Sequence, residues 1–393
     1  MDAVVILSAK RTPIGKLGGS LAGMNAVALG TIAAQAAIKQ AGIEASQLDQ
    51  AIFGNVLQAN SGQNVARQIA LNSGMTTAST AMTVNEVCGS GLKAVRLGQS
   101  AILLGDADAV LVGGTESMSN TPYYAPQQRF GHKFGDLSLV DGIARDGLSD
   151  AFTGQPMGMT AENVAAQFDV TRAQQDAFAL ASHQKAVAAQ QAGAFEAEIA
   201  SVAIPTRDGD VVVATDEAPR PDTSLAKLAK LRPAFESGGT VTAGNASGIN
   251  DGAVALVLMR KSKAEALGLS YLATIRGYNE GGVDPNFMGY APKKVIEKLL
   301  TKTQSSLADI DLIEINEAFA AQTIAVANEL GIDDQKLNVN GGAIALGHPL
   351  GASGARVLTT LIYALRARGQ RTGLAALCVG GGLGVAMQIE VEA

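Results

Sequence analysis

The chain has 393 residues, of which 47% are hydrophobic and 17% charged, and its formal net charge is −6. That length predicts two or three tightly joined lobes around more than one core. An acidic chain lacks the clustered basic surface that duplex binding requires, so we expect no nucleic-acid partner. The apolar runs are too short for an export signal or a bilayer span, so we expect a cytoplasmic protein with no membrane contact.

Apolar β-branched runs alternate with alanine-rich helical stretches along much of the chain. In the first third, strands are predicted at residues 4–8, 50–55 and 109–113, and helices at residues 26–41, 66–72 and 90–104. This alternation is typical of a layered α/β fold. From about residue 120 to 245 the pattern changes to Gln- and Ala-rich helices, at residues 161–168 and 171–192, which indicates an inserted lobe. A strand follows at residues 253–259, and a second α/β half begins at residue 271.

The two α/β halves repeat one motif. Cys88-Gly-Ser-Gly91 opens a helix in the first half, and Gly351-Ala-Ser-Gly354 opens one in the second. The strand that follows each helix is predicted to end in Val-Gly-Gly, at residues 112–114 and 379–381. The repeat indicates a duplicated domain. If the halves pack about a pseudo-twofold axis, Cys88, His348 and Cys378 become neighbours.

Cys88 lies directly before a predicted helix. Unpaired N–H groups and the helix dipole at such a position favour a thiolate, so Cys88 is a candidate nucleophile. The alternative is a buried core cysteine, which is common. The other cysteine of the chain is Cys378, and we expect both thiols to be reduced.

The chain has three histidines, and His348 is the candidate base among them. It lies between Gly347 and Pro349, which fix an irregular backbone and keep the side chain off a helix face. His132 and His183 have polar surroundings in the sequence and are interpreted as surface residues. A hydrogen-bonded structural role is the alternative for His348.

Cys378 and Asn316 complete the candidates. Cys378 ends an apolar run before a glycine cluster whose spacing differs from G-x-G-x-x-G, so a dinucleotide site is disfavoured. A second thiol beside an oxyanion pocket suits this position. Asn316 follows a strand-like run, where its amide could donate to a carbonyl oxygen or simply cap a helix.

Taken together, four sequence blocks closely resemble the signatures of the thiolase family. They are Asn85-Glu-Val-Cys-Gly-Ser-Gly91, Asn316-Glu-Ala-Phe319, the glycine-rich stretch from Gly341 to Gly354, and Cys378-Val-Gly-Gly-Gly382. The likeness extends to Arg11-Thr-Pro-Ile-Gly15 and to residues 240–251, so it covers the whole chain. Within the family, the chain most resembles the acetyl-CoA C-acetyltransferases, also called acetoacetyl-CoA thiolases.

The resemblance implies the thiolase fold, in which two similar layered α/β halves are related by pseudo-twofold symmetry and carry an inserted loop domain. Residues 1–119, completed by about 246–270, would form the N-terminal half. Residues 120–245 would form a loop domain that binds coenzyme A, and residues 271–393 the C-terminal half. Family members are usually dimers or dimers of dimers, so a homo-oligomer, such as a homotetramer, is expected.

The resemblance also implies a reversible Claisen condensation of two acetyl-CoA molecules to acetoacetyl-CoA and CoA, by a ping-pong mechanism. Cys88 would carry the acyl group, His348 would activate it, and Cys378 would act as the acid/base. Asn316 with His348 would line one oxyanion hole, and the backbone amides of Cys88 and Gly380 the other. Coenzyme A thioesters are the substrates, and no cofactor or metal is expected.

Nine further residues are implied by motif position. The residues expected to contact coenzyme A are Arg220, Leu231, Phe235, Ala243 and Ser247. The residues expected to shape the thioester pocket are Met157, Met288, Ala318 and Phe319. Methionine and phenylalanine are more often plain core residues, and single basic side chains are more often solvated, so these assignments depend on the resemblance.

One position departs from the acetoacetyl-specific pattern. Many such relatives carry His where this chain has Pro156, and Pro cannot supply the hydrogen bond of a His side chain. A degradative thiolase with broader or longer-chain 3-ketoacyl-CoA preference is therefore an alternative. A ketoacyl synthase-like condensing enzyme is disfavoured by the second thiol, and an inactive acyl-CoA- or sterol-binding relative by the complete set of candidate catalytic residues.

Overall fold

A computed structural model describes residues 2–392 of the chain. Its strands are β1 (Val4–Arg11), β2 (Gly15–Lys16), β3 (Gln50–Gly54), β4 (Thr80–Val84), β5 (Ala109–Ser117), β6 (Tyr123–Tyr124), β7 (Val140–Asp141), β8 (Val202–Ile204), β9 (Val211–Val213), β10 (Asn250–Arg260), β11 (Ala273–Gly282), β12 (Leu312–Ile315), β13 (Thr372–Val379) and β14 (Leu383–Val391). Its α-helices are α1 (Ala26–Ala41), α2 (Val65–Asn72), α3 (Ser90–Leu104), α4 (Met157–Gln167), α5 (Arg172–Gln191), α6 (Leu225–Leu228), α7 (Lys261–Ala266), α8 (Ala291–Thr303), α9 (Ala320–Leu330), α10 (Ala343–Leu346) and α11 (Leu350–Ala367).

The main sheet consists of two halves with matching topology. Its order is β12-β13-β14-β11-β1-β10-β5-β3-β4, with β2 paired to β10. In the first half, β3 is parallel to both β4 and β5, while β10 is antiparallel to β5 and β1. In the second half, β12 is parallel to β13, and β14 is antiparallel to β13 and β11. The correspondence confirms the predicted pair of similar α/β halves.

Helices lie on both outer faces and between the two halves of the sheet. Helices α1 and α2 cover the outside of the first half, and α8 and α9 cover the outside of the second. Helices α3 and α11 pack against each other in the middle layer, over the largest buried apolar cluster. Because the sheet is covered on both faces, its central strands are continuous apolar runs; every residue of β5 is buried.

Local sequence signals place most element ends. The predicted bounds of α1 and α3 are confirmed, and Thr171 caps α5 through a reciprocal capping box with Gln174. Several predicted strand and helix ends are wrong. Strand β1 continues to Arg11 instead of ending at residue 8, and β10 begins at Asn250 instead of residue 253. Strand β5 continues past Gly114 to Ser117, because it stays paired with β10, and α4 begins at Met157 because Pro156 is compatible with a helix start.

Glycines let α3 and α11 begin side by side. A Cβ atom added to Gly354 would lie 2.4 Å from the backbone nitrogen of Leu92, and one on Gly91 would lie 2.7 Å from the nitrogen of Ala355. Real Cβ atoms do not approach backbone atoms this closely, so no side chain fits at either position. The crossing brings together the loops that precede the two helices.

Residues 121–245 carry the hairpins β6–β7 and β8–β9 and the helices α4 to α6. This segment is tied to the first half by a buried charge cluster. The guanidinium of Arg11 lies 2.5 Å from a carboxylate oxygen of Glu198 and 2.6 Å from one of Asp216. Within residues 2–392, no helix combines the length and apolar character needed to cross a membrane.

Candidate active site

The loop that carries Cys88 is strained and braced. Val87 has a φ of +46°, in the left-handed region that β-branched residues rarely adopt. The Ser90 hydroxyl accepts from the N–H of Glu86 at 2.8 Å and donates to the carbonyl oxygen of Val87 at 2.7 Å. Ser90 thus closes the turn around Val87 and fixes the position of the following Cys88.

His348 contacts Cys88 directly. Its Nε2 lies 3.3 Å from Cys88 Sγ, and its Nδ1 lies 2.5 Å from Ser353 Oγ. The Ser353 hydroxyl donates to the carbonyl oxygen of Pro349 at 2.8 Å, so it accepts from Nδ1–H. This leaves the lone pair of Nε2 facing the Cys88 thiol. The backbone N–H of His348 donates to Asn250 Oδ1 at 2.9 Å.

Ser90 and Ser353 occupy matching positions in the two copies of the repeated motif. Each lies in the first turn of its helix, and each donates to a carbonyl of the preceding loop. One serine braces the loop of the thiol, and the other orients the imidazole. The pseudo-twofold repeat therefore places a bracing hydroxyl beside each reactive group.

Cys378 and Asn316 lie behind this pair. Both are fully buried, at the ends of β13 and β12. Asn316 Nδ2 is 3.5 Å from His348 Nε2, and Cys378 Sγ is 3.8 Å from Gln322 Oε1. Asn316 is not a helix cap, because α9 starts only at Ala320. Both cysteines are free thiols.

Burial controls the protonation of the site. It raises the pKa of Cys88 to about 12, although the backbone N–H groups of Gly380 and of Cys88 itself act in the opposite direction. Burial, with the nearby charge of Arg356, lowers the pKa of His348 to about 3. It raises the pKa of Cys378 further, with the charge of Cys88 adding to the effect. The backbone N–H groups therefore favour the thiolate, as expected for a position before a helix, but desolvation of the buried sulfur acts against them more strongly.

A buried carboxylate holds the start of α11 to the first half. Glu116 accepts from the backbone N–H groups of Val56, Leu57 and Gly351 and from Asn55 Nδ2, at 2.7 to 3.0 Å. Burial raises its pKa to about 7 against the lowering effect of the three backbone N–H groups. Glu116 thus links the loop after β3 to the helix that follows His348.

A cavity of about 420 Å³ opens onto Cys88 and His348, and its wall is mainly apolar. Of the residues implied by the resemblance, those in its wall are Cys88, Met157, Phe235, Ala243, Ser247, Met288, Ala318, Phe319, His348 and Gly380. Pro156 also lines it. Cys378 and Asn316 lie beneath the wall.

Arg220 and Leu231 lie outside this cavity. Arg220 lines a small adjoining pocket of about 80 Å³ that shares Ala243 and neighbouring residues with the main cavity and also contains Lys16. His183, which we interpreted as a surface residue, is buried, and its Nδ1 accepts from the backbone N–H of Arg220 at 3.2 Å. It is covered because α5 turns that face inward.

Several residues of the site were not predicted from the sequence. Ser353 is signalled only by its match to Ser90 in the repeat. Nothing in the local sequence links Gln322 to Cys378, Glu116 to Gly351 or Asn250 to His348, because these partners are 56 or more residues apart. Within the part of the chain that the structure describes, no group of three or more His, Cys, Asp or Glu side chains is arranged to hold a metal ion.

Family models match nearly the whole chain. The model for the thiolase N-terminal domain matches residues 4–262, and that for the thiolase C-terminal domain matches residues 269–391. The acetyl-CoA acetyltransferase of Escherichia coli is 53% identical over 391 residues, which cover 99% of each chain. The acetyl-CoA acetyltransferase of Cupriavidus necator is 51% identical over 391 residues, covering 99% of this chain and 100% of its own.

Solved structures give the same result. The acetyl-CoA acetyltransferase of Bacillus anthracis superposes with a TM-score of 0.98 at 44% identity, covering 100% of this chain and 99% of its own. Human mitochondrial 3-ketoacyl-CoA thiolase superposes with a TM-score of 0.97 at 42% identity and the same coverage. The predicted thiolase fold is confirmed, and the chain belongs to the thiolase family of acyltransferases.

Proposed function

We propose that the protein is an acetyl-CoA C-acetyltransferase, which condenses two acetyl-CoA molecules to acetoacetyl-CoA and CoA and catalyses the reverse thiolysis. The observation that carries the proposal is the 3.3 Å contact between Cys88 Sγ and His348 Nε2 at the cavity. Cys378 is near enough for the charge of Cys88 to raise its pKa. The names of the relatives from Escherichia coli and Cupriavidus necator support the same activity.

In the first half-reaction, Cys88 attacks the thioester carbonyl carbon and its proton passes to His348 Nε2. The backbone N–H groups of Cys88 and Gly380 hold the developing oxyanion. The carbon–sulfur bond of the substrate breaks, and the leaving CoA thiolate takes the proton of Cys378. The product is acetyl-Cys88, a thioester of similar energy to the substrate, so the step runs in both directions.

In the second half-reaction, the Cys378 thiolate removes an α-proton from a second acetyl-CoA. Protonated His348 and Asn316 Nδ2 stabilise the enolate oxygen. The enolate carbon bonds to the acetyl carbon on Cys88, whose carbon–sulfur bond then breaks. His348 returns its proton to the Cys88 thiolate. Cys378 keeps the α-proton, so the enzyme ends in its starting protonation state.

Coenzyme A would lie along the cavity and its small neighbour. All seven of the remaining implied residues line the cavity. Phe235, Ala243 and Ser247 would contact the coenzyme, while Met157, Met288, Ala318 and Phe319 would surround the thioester. Arg220 and Lys16 line the adjoining pocket and would meet the phosphates of this anionic substrate. Leu231, 36% exposed, would contact the coenzyme from outside the cavity.

A second candidate function is the thiolysis of longer 3-ketoacyl-CoA chains. Pro156 in the cavity wall presents no side-chain hydrogen-bond donor, and its neighbours are mainly apolar. Such a wall accommodates additional methylene groups at a gain of about 0.8 kcal/mol for each one buried. The high structural similarity to human 3-ketoacyl-CoA thiolase is compatible with this alternative.

CoA-dependent thiolysis of 3-ketoacyl-CoA substrates of increasing chain length tests the proposal. We expect the largest kcat/KM for acetoacetyl-CoA, and a Cys88→Ala variant should lose nearly all turnover while it still binds CoA. A larger kcat/KM for the long chains would favour the second candidate. Full turnover by the variant would overturn both, and an unaltered condensation rate in Cys378→Ala would favour a ketoacyl synthase-like mechanism.

We further propose that residues 120–245 act as the coenzyme A-binding loop domain between halves formed by residues 1–119 with about 246–270 and residues 271–393, and that the protein is a homo-oligomer. Large apolar side chains project from the β6–β7 hairpin, and Phe130 and Phe134 are 87% and 97% exposed. Exposed apolar clusters of this kind mark association surfaces. Light scattering should give the mass of a dimer or a tetramer.

A further inference from the structure

The two thiols of the site have the same intrinsic chemistry but different neighbours: Cys88 lines the cavity, and Cys378 lies beneath its wall. Cys88 Sγ faces an imidazole nitrogen with a free lone pair, which accepts a proton. Cys378 Sγ faces the amide of Gln322 at 3.8 Å, within the range of hydrogen bonds to sulfur. An amide oxygen accepts a hydrogen bond but does not take the proton as an imidazole does, so this neighbour favours the thiol form of Cys378.

The orientation of the Gln322 amide follows from a second contact. Its Oε1 accepts from the backbone N–H of Phe319 at 3.4 Å, at the start of α9. With the amide reversed, the NH₂ group would face that N–H, donor against donor. The oxygen therefore points toward Cys378, where it accepts the S–H.

Packing holds the Gln322 side chain in place. Gln322 is fully buried, and a Cβ atom on Gly289 would lie 2.6 Å from its Cβ, so the neighbouring helix turn leaves it no space on that side. Its Nε2 is buried without a hydrogen-bond partner among the described residues. An uncompensated buried N–H group costs about 1–3 kcal/mol, which is characteristic of a residue kept for function.

We propose that Gln322 is a positioning residue for Cys378: its amide oxygen aims the S–H and keeps the proton on Cys378 until the leaving CoA thiolate takes it. This inference rests on the proposed function, in which Cys378 supplies that proton and then removes the α-proton of the second acetyl-CoA. Gln322 does not line the cavity, and its hydrogen bonds go to Cys378 and to the backbone N–H of Phe319, so it acts on the substrate only through Cys378.

Two variants of Gln322 separate positioning from packing. Gln322→Met has nearly the same length but no acceptor, whereas Gln322→Glu keeps an oxygen at the same place. Each variant is compared with wild type in two measurements on the full-length protein. The first is the amount of acetyl-Cys88 formed from labelled acetyl-CoA, and the second is the rate at which α-protons of acetyl-CoA exchange with D₂O.

Gln322→Met should lower the α-proton exchange rate about tenfold or more, because general acid–base catalysis depends on the position of the sulfur that takes and returns the proton. Acetyl-Cys88 should reach the wild-type amount, which shows that the site is folded. Gln322→Glu should restore most of the exchange rate. Wild-type exchange in Gln322→Met, no rescue by Gln322→Glu, or loss of acetyl-Cys88 together with exchange would each overturn the inference. If wild type itself forms no acetyl-Cys88, the proposed function falls and the inference with it.

Discussion

The surroundings of individual side chains determine the protonation states of Cys88 and His348. Burial raises the pKa of Cys88 to about 12 and lowers that of His348 to about 3, so the resting pair is a neutral thiol and a neutral imidazole. Ser353 holds the Nδ1–H, and the Nε2 lone pair faces sulfur. In this account the proton moves from Cys88 Sγ to His348 Nε2 during the attack.

The lowered pKa of His348 has a measurable consequence. A base with a pKa of about 3 is unprotonated at any higher pH, so its function is lost only as the pH falls toward that value. We therefore expect the rate of Cys88 acylation to show no acid limb between about pH 8 and pH 5. A pH profile with an apparent pKa near that of free histidine would contradict this protonation state.

Ser353 should affect the rate of catalysis through the tautomer of His348. Ser353→Ala removes a buried hydrogen bond of about 1–3 kcal/mol, so we expect kcat for thiolysis to fall about 5- to 150-fold. Ser100→Ala is a matched control, because Ser100 also donates to the carbonyl four residues earlier, from α3 at a distance from the cavity. Equal kcat values in the two variants would contradict the proposed effect of Ser353 on the tautomer of His348.

At the scale of elements, the decisive feature is the crossing of α3 and α11. Each helix begins directly after the loop that carries one reactive group, so the distance between Cys88 and His348 depends on how closely the helix starts approach. Glycines set that approach, and Glu116 fixes the start of α11 to the loop after β3 by hydrogen bonds.

Gly354→Ala tests the crossing. Its Cβ would meet the backbone nitrogen of Leu92 at 2.4 Å, and backbone cannot move aside as a flexible side chain does. We expect a loss of about 1–3 kcal/mol in the free energy of unfolding, measured in urea, together with reduced acylation of Cys88. Gly23→Ala, where the added Cβ meets nothing within 4 Å, should match wild type. Wild-type stability in Gly354→Ala would mean that the helices do not need this contact.

The crossing of α3 and α11 also illustrates which features of the site can be predicted from the sequence and which cannot. The repeated motif, the glycines and the helix pattern predicted both helix starts and the meeting of Cys88 with His348, because these signals are local or internal to the repeat. Gln322, Glu116 and the burial of His183 could not be predicted, since each depends on a partner from another element. The burial that raises the pKa of Cys88 also depends on several elements at once, and no local pattern encodes it.

At the scale of the whole molecule, the inserted segment must stay fixed to the α/β halves if it is to form one wall of the cavity. The cluster of Arg11, Glu198 and Asp216 provides this link, and all three side chains are buried. Arg11 belongs to β1 at the centre of the main sheet, so the cluster connects the segment to the core of the first half.

Arg11→Met should leave two buried carboxylates without their partner. We expect a loss of about 3–5 kcal/mol in the free energy of unfolding, measured by denaturant titration. Lys263→Met, which removes the partner of Asp108 in an exposed ion pair, should cost about 0–1 kcal/mol. Equal losses in the two variants would show that the buried cluster does not fasten the segment.

The most direct test of the account is the site of acetylation after mixing with radiolabelled acetyl-CoA, followed by peptide mapping. We predict label on the Cys88 peptide in wild type and, more slowly formed, in Cys378→Ala, which should no longer condense the acetyl group with a second acetyl-CoA. Cys88→Ala should take up none. Label on any other residue, or condensation by Cys378→Ala at the wild-type rate, would contradict the account, in which Cys88 carries the acyl group and Cys378 transfers the proton.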